Sequence, residues 1–198
     1  MGDASAPDRL RLFVALRIPE EVKTAISGAQ TELRERLPAG GIAWTKPEQF
    51  HLTLKFLGNV ETQRVDSLTK ALLSACLRLG PLHLRAERMG AFPNLRFPRV
   101  IWVGLNDAEQ KLQSAQQTVE SACFPFTAEK SEDRFSGHVT LARVKRLARS
   151  EAQVLAGLVN GMEKRFFGSW TANELELMQT ELGAEGARHT CIEKVTFG

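Results

Sequence analysis

Between positions 9 and 18, Leu10, Leu12, Val14 and Leu16 fall on one alternating face and Phe13 and Ala15 on the other, which predicts a first strand. Pro19-Glu20-Glu21 then opens a helix, because proline suits a first turn and acids suit its positive end. Val22, Ile26, Ala29, Leu33 and Leu37 keep helical spacing until Pro38-Ala39-Gly40-Gly41 breaks it. A short strand at 42–45 carries Trp44, Pro47-Glu48-Gln49 forms a turn, and a strand follows over 50–57. Val65, Leu68, Leu72, Ala75 and Leu79 make the stripe of a second helix over 61–79, which Gly80-Pro81 ends. Positions 82–88 alternate as a strand, 90–94 read as a loop, and 99–105 form a strong strand. Asn106 or Asp107 caps a third helix running to Cys123. A strand over 135–145 follows. Ser150 then caps a fourth helix to about Arg165, with Glu151 in its first turn, and strands over 175–182 and 189–197 close the chain.

This order contains an echo. A strand with Phe13, a helix, and a strand with His51 are matched by a strand with Trp102, a helix, and a strand with His138. The two spacings are 38 and 36 residues. The repetition implies two similar lobes facing each other within one domain over 1–198. The expected fold class is α+β: bilobal, two pseudo-symmetric lobes of antiparallel sheet, helices outside and a central cleft.

The strands that end the two halves share a sequence. His51-Leu52-Thr53-Leu54 and His138-Val139-Thr140-Leu141 both read His-apolar-Thr-apolar, and they hold two of the four histidines in the chain. At this composition only about 0.05 chance matches are expected. Residues i and i+2 of a strand share a face, so each segment presents one imidazole and one hydroxyl together. Arg143, beyond Thr140, is placed on the same face as His138 and Thr140, where a guanidinium can hold phosphate oxygens. Lys55 sits at the equivalent offset after Thr53 and reads as a solvated charge rather than a ligand. A neutral imidazole can take a proton from water and a cationic one can give a proton to a leaving oxygen. Two imidazoles, two hydroxyls and a cation across one cleft suit in-line hydrolysis of a strained phosphodiester without a metal.

Composition narrows the partners. A net charge of +3 permits a phosphate-bearing ligand but is too weak to coat nucleic acid by charge alone. The basic cluster Lys145, Arg146 and Arg149 reads as solvated surface, and His83 as a solvent-facing strand residue. Cys76, Cys123 and Cys191 form no CxxC pair and point to a reducing, cytoplasmic setting. No apolar run has transmembrane length, and the first six residues fit neither a signal peptide nor a myristoylation pattern. No metal-ligand spacing surrounds either histidine, so no metal and no cofactor are expected.

The paired motifs, from His51 to Gly58 and from His138 to Arg143, resemble those of the two-histidine (2H) phosphoesterase superfamily. Within it the chain looks like the RNA 2′,3′-cyclic phosphodiesterases, also called 2′-5′ RNA ligases. The segment up to Ala15, Trp44, Gly90-Ala91-Phe92-Pro93, the run from Pro98 to Trp102, and Glu174 to Leu177 extend the likeness over most of the chain. The resemblance implies hydrolysis of an RNA or nucleoside 2′,3′-cyclic phosphate to a 2′-phosphate, with RNA ends or nucleotides as partners, no membrane, and a monomer. It implies His51 as proton donor, His138 as proton acceptor, and Thr53, Thr140 and Arg143 on the phosphate, with swapped histidine roles open. Phe13 stands at a family position near the cleft and is expected to stack on a base. Alternative readings are ligation as the physiological direction, another small cyclic nucleotide as substrate, and a non-catalytic binding module for nucleotides or RNA ends. The chain departs from the family at Ser136-Gly137, where a proline is frequent, at His189, where a tyrosine is common, and at Thr180, where serine is frequent.

Overall fold

The computed structural model describes residues 8–37, 40–130, 135–183 and 186–198. The N-terminal segment and the Pro38-Ala39 part of the predicted helix break lie outside them. In chain order the elements are β1 (Arg9–Arg17), α1 (Glu20–Arg36), β2 (Ile42–Trp44), β3 (His51–Glu61), α2 (Val65–Cys76), β4 (Leu82–Phe92), β5 (Val100–Asn106), α3 (Lys111–Cys123), β6 (His138–Val144), α4 (Arg149–Gly161), β7 (Phe166–Ala172), β8 (Glu174–Gly183) and β9 (Gly186–Thr196).

The described strands join in antiparallel pairs in the order β7-β4-β5-β6-β3-β1-β8-β9, with β2 beside β6. The order is palindromic about its centre. The two motif strands β6 and β3 meet there through a single pair, Leu52 opposite Val139. On one side β1 pairs β3 and leads to it through α1; on the other, β5 pairs β6 and leads to it through α3. These are the two lobes of the echo, and the α+β, bilobal expectation is met. Each crossover helix packs on the opposite lobe: α1 lies against β7 and α4, and α3 against β3 and α2. Leu52, Leu54, Val139 and Leu141 point into the core, and the buried Val22, Ile26, Ala29 and Leu33 of α1 belong to the same cluster. The helix-facing side of the sheet is therefore closed, and the other face is left to form a cleft.

Several element limits differ from the sequence reading for identifiable reasons. β4 does not stop at Arg88. It bulges there, with φ of 61°, and continues through Gly90 to Phe92. Gly90 reads as a loop residue, yet it is a strand position over which the Trp102 indole lies so closely that a Cβ would clash. β7 carries no clear strand signal, because Gly168 at φ of 138° interrupts its alternation. The predicted second helix is preceded by a longer β3 and begins at Val65. Ser150 lies inside α4 rather than capping it. The Glu151 carboxylate reaches back to the Ala148 N–H at 2.6 Å instead, and the helix ends at Gly161. Asp107 does secure the start of α3, accepting the N–H groups of Glu109 at 3.0 Å and Leu112 at 2.8 Å.

Candidate active site

His51 and Thr53 on β3 and His138 and Thr140 on β6 line one cleft of about 790 Å³, together with Arg143, Phe56, Phe92, Thr180 and His189. Strand alternation places each His–Thr pair on the cleft face and Leu52, Leu54, Val139 and Leu141 beneath. The two imidazoles are anchored alike. His51 Nδ1 lies 2.7 Å from the Gln49 carbonyl, and His138 Nδ1 lies 2.7 Å from the Ser136 carbonyl. A carbonyl only accepts, so Nδ1 carries the proton in both rings and Nε2 is the nitrogen left for chemistry. Among the described residues, the Thr53 and Thr140 hydroxyls and the Arg143 guanidinium have no hydrogen-bond or ion-pair partner and are available to a ligand.

Arg143 reaches the cleft face through an irregularity in β6. It is the fifth residue after His138, so strict alternation would turn it away. Trp102 pairs with Thr140 and Ile101 with Ala142, which leaves Leu141 as the extra residue of a bulge. β3 carries the same bulge at Leu54: Ala15 pairs with Thr53 and Val14 with Lys55. The counterpart of Arg143 is therefore Phe56, not Lys55. Lys55 is turned inward and only 5% exposed, and its ammonium bonds Glu120 at 2.7 Å and the Glu129 carbonyl at 3.2 Å. Instead of a solvated charge, Lys55 is a buried tie from β3 to α3 and the segment that follows it.

Each bulge is held by a glutamine from the opposite lobe's crossover helix. Gln30 of α1, 2% exposed, donates to the carbonyls of Leu141 at 3.0 Å and Thr45 at 2.8 Å. Gln116 of α3 donates, more weakly, to the Leu54 carbonyl at 3.4 Å. The sequence reading misses both, because a glutamine within a helical stripe carries no local sign of a partner far along the chain.

The base-stacking expectation for Phe13 does not survive. Its side chain is 2% exposed, beneath His51 at 4.8 Å, His189 at 5.0 Å and Phe56 at 6.0 Å between ring centroids. The open ring of that patch is Phe56, which is 50% exposed and on the His51 face. Phe92 plays the supporting part in the other lobe, 5.0 Å from the His138 ring.

Burial pushes the His51 pKa down to about 4, and His189, His138 and Lys23 add to the effect while the bond to Gln49 opposes it. The His189 pKa is also lowered by burial. His51 is thus neutral at pH 7 in the free site, and a bound anion favours its protonation. Among the described residues, no group of three or more His, Cys, Asp or Glu side chains is placed to hold a metal ion.

Known proteins resemble this chain in sequence and in fold. The family described as LigT like Phosphoesterase matches residues 16–102. The chain is 33% identical over 195 residues to an RNA 2′,3′-cyclic phosphodiesterase of Thermus thermophilus, covering 95% of this chain and 90% of that one. It is 27% identical over 187 residues to an RNA 2′,3′-cyclic phosphodiesterase of Methanocaldococcus jannaschii, covering 93% and 99%. The crystal structure of a Thermus thermophilus protein superimposes with a TM-score of 0.76 at 26% identity, over 95% of this chain and 98% of that one. E. coli LigT complexed with 3′-AMP has the same fold, with a TM-score of 0.76 at 20% identity over 96% and 98%.

Proposed function

The chain belongs to the LigT-like phosphoesterases, the family of the RNA 2′,3′-cyclic phosphodiesterases, and on that premise we propose that it opens a terminal 2′,3′-cyclic phosphate of RNA or a nucleotide to a 2′-phosphate. The observation that carries the reading is the matched anchoring of His51 and His138, which leaves two Nε2 atoms for one cleft. His138 takes a proton from water as the water oxygen bonds to phosphorus. The bond from phosphorus to the 3′ oxygen breaks, and His51 delivers a proton to that oxygen, leaving a 3′-hydroxyl and a 2′-phosphate. Thr53, Thr140 and Arg143 hold the non-bridging oxygens, whose charge grows as water attacks. Free His51 lacks that proton on Nε2; the phosphate's negative charge raises its proton affinity when substrate binds, so that it takes a proton up from solvent before the step. Phe56 offers the face on which a base stacks. Ligation is the same step with the 5′-hydroxyl of a second RNA in the place of water: its oxygen bonds to phosphorus, the bond to the 3′ oxygen breaks, and a 2′-5′ linkage results.

We assign the whole chain to one two-lobed domain acting as a monomer in the cytoplasm. Its described cysteines, Cys76, Cys123 and Cys191, are all free, which supports a reducing compartment.

The test is turnover of nucleoside 2′,3′-cyclic monophosphates and short RNAs with cyclic ends, in EDTA, by wild type, His51→Ala and His138→Ala. Each variant is expected to lose at least about a hundredfold in kcat, the usual scale of acid–base catalysis. Activity persisting in both variants would refute the assignment, and a 3′-phosphate product would refute the proposed leaving oxygen.

A further inference from the structure

The cleft contains a third imidazole. His189 on β9 lies edge-to-face with His51 at 5.4 Å and with Phe13 at 5.0 Å. Its Nδ1 is 3.1 Å from the Thr180 hydroxyl on the paired strand β8, which leaves its Nε2 as the free nitrogen. The same stretch of β9 supports His51 by a second route. The Gln49 side-chain amide donates to the Ala187 carbonyl, while the Gln49 backbone carbonyl accepts the His51 Nδ1–H. Among the described residues, His51 is thus held on one side by a carbonyl that is itself positioned from β9, and on another by the His189 ring.

We propose that His189 is a positioning residue of the reaction, which fixes the orientation of the His51 imidazole and sets its proton affinity by charge. This rests on the proposed catalytic part of His51. Two imidazoles at this separation resist simultaneous protonation, because each desolvates the other and their charges repel. Burial is the first cause that holds His51 unprotonated, and His189 adds to it until substrate brings a negative charge.

The other charged groups near the pair come from several elements. His138 on β6 and Lys23 on α1 act on His51 in the same sense as His189. Arg17 is the cross-strand partner of His51 on β1, and Arg11 on β1 lines the cleft. Glu181 and Arg188 form the neighbouring pair on the β8–β9 ladder and project to the opposite face from Thr180 and His189. Glu48, beside Gln49, is exposed. Among the described residues, the cleft's carboxylates are Glu120, which bonds Lys55, and Glu129. Among these described groups, only His189 makes ring contact with both His51 and its floor, Phe13.

The test is a charge series read at His51. The intact protein is titrated by NMR at its histidine ring protons as wild type, His189→Gln and His189→Lys, with His51→Gln used to assign the resonance. The His51 titration is expected to move up by about half a pH unit or more in His189→Gln and down in His189→Lys, the direction set by removing or fixing a nearby charge. The limb of kcat/KM against pH assigned to His51 should move the same way with a nucleoside 2′,3′-cyclic monophosphate. If His189→Lys fails to fold, the upward shift in His189→Gln decides alone. A His51 titration that stays in place in a folded His189→Gln protein overturns the proposal. Absence of turnover on every cyclic nucleotide would refute the proposed function, while the NMR titration would still decide the coupling.

Discussion

Gln30 and Leu141 lie 111 positions apart, yet the Gln30 amide donates to the Leu141 carbonyl at 3.0 Å. Leu141 is the extra residue of the β6 bulge, and the bulge returns Arg143 to the face of His138 and Thr140. Gln30 also holds the Thr45 carbonyl at 2.8 Å and is almost fully buried. Gln30→Leu would take that donor from the Thr45 carbonyl and leave the Leu141 carbonyl with the Thr45 N–H at 2.8 Å, at a cost of about 1–3 kcal/mol. Chemical denaturation should show that loss, and KM for a cyclic nucleotide should rise more than kcat falls, because phosphate binding depends on the bulge. Unchanged stability and KM would mean that the bulge is held without Gln30.

Arg143 should separate charge from geometry. Arg143→Ala is expected to reduce kcat/KM by about ten- to a hundredfold, the scale of a charge-assisted hydrogen bond. Arg143→Lys should recover part of that loss, because a point charge replaces only part of a planar fork. Steady-state kinetics with a nucleoside 2′,3′-cyclic monophosphate reads both, and an alanine variant with wild-type kinetics would remove Arg143 from the site.

Lys55 should behave as a structural tie. Lys55→Met strips the buried Glu120 contact of its cation at 2.7 Å and should destabilise the fold by roughly 3 kcal/mol. Lys55→Met with Glu120→Leu should restore part of the stability, because the carboxylate that Lys55 faces is removed with it. Urea midpoints of the single and double variants make the comparison, and a double variant no more stable than Lys55→Met alone would contradict it.

His51 links stability to pH. Its folded-state pKa of about 4 lies below the ordinary histidine value of 6.5, so between these values the unfolded chain binds more protons. Stability from this residue is therefore full above pH 6.5 and falls as the pH drops towards 4, by up to about 3 kcal/mol. His51→Gln should flatten that part of the stability profile measured by denaturation. Inorganic phosphate should in turn raise the His51 titration seen by NMR, because an anion beside the ring favours its charged form. A titration insensitive to phosphate would place the anion elsewhere.

Much of the site is legible in the sequence because its signals are local. Alternation over a few residues puts His51 with Thr53 and His138 with Thr140, and the repeated strand–helix–strand order implies two lobes. Lys55 and Arg143 show where locality ends. Both read as cleft-facing partners, and a bulge in each strand decides the outcome: it brings Arg143 to the cleft as read, but it turns Lys55 inward and puts Phe56 in its place. Phe13 borders the cleft as read, but rings from other strands, His51 and His189, cover the surface that a base would need.

The sequence by itself determined which side chains could perform acid–base chemistry and on which short strands they sit, because strand periodicity is a property of neighbouring residues. Tertiary structure decided which of the surrounding groups join them. Gln30 reaches Leu141 only when α1 crosses to the opposite lobe, and His189 reaches His51 only when β8 and β9 extend the sheet beside β1. A bulge carbonyl must be satisfied and a buried ring must be packed, and in this fold the partners come from residues far away along the chain.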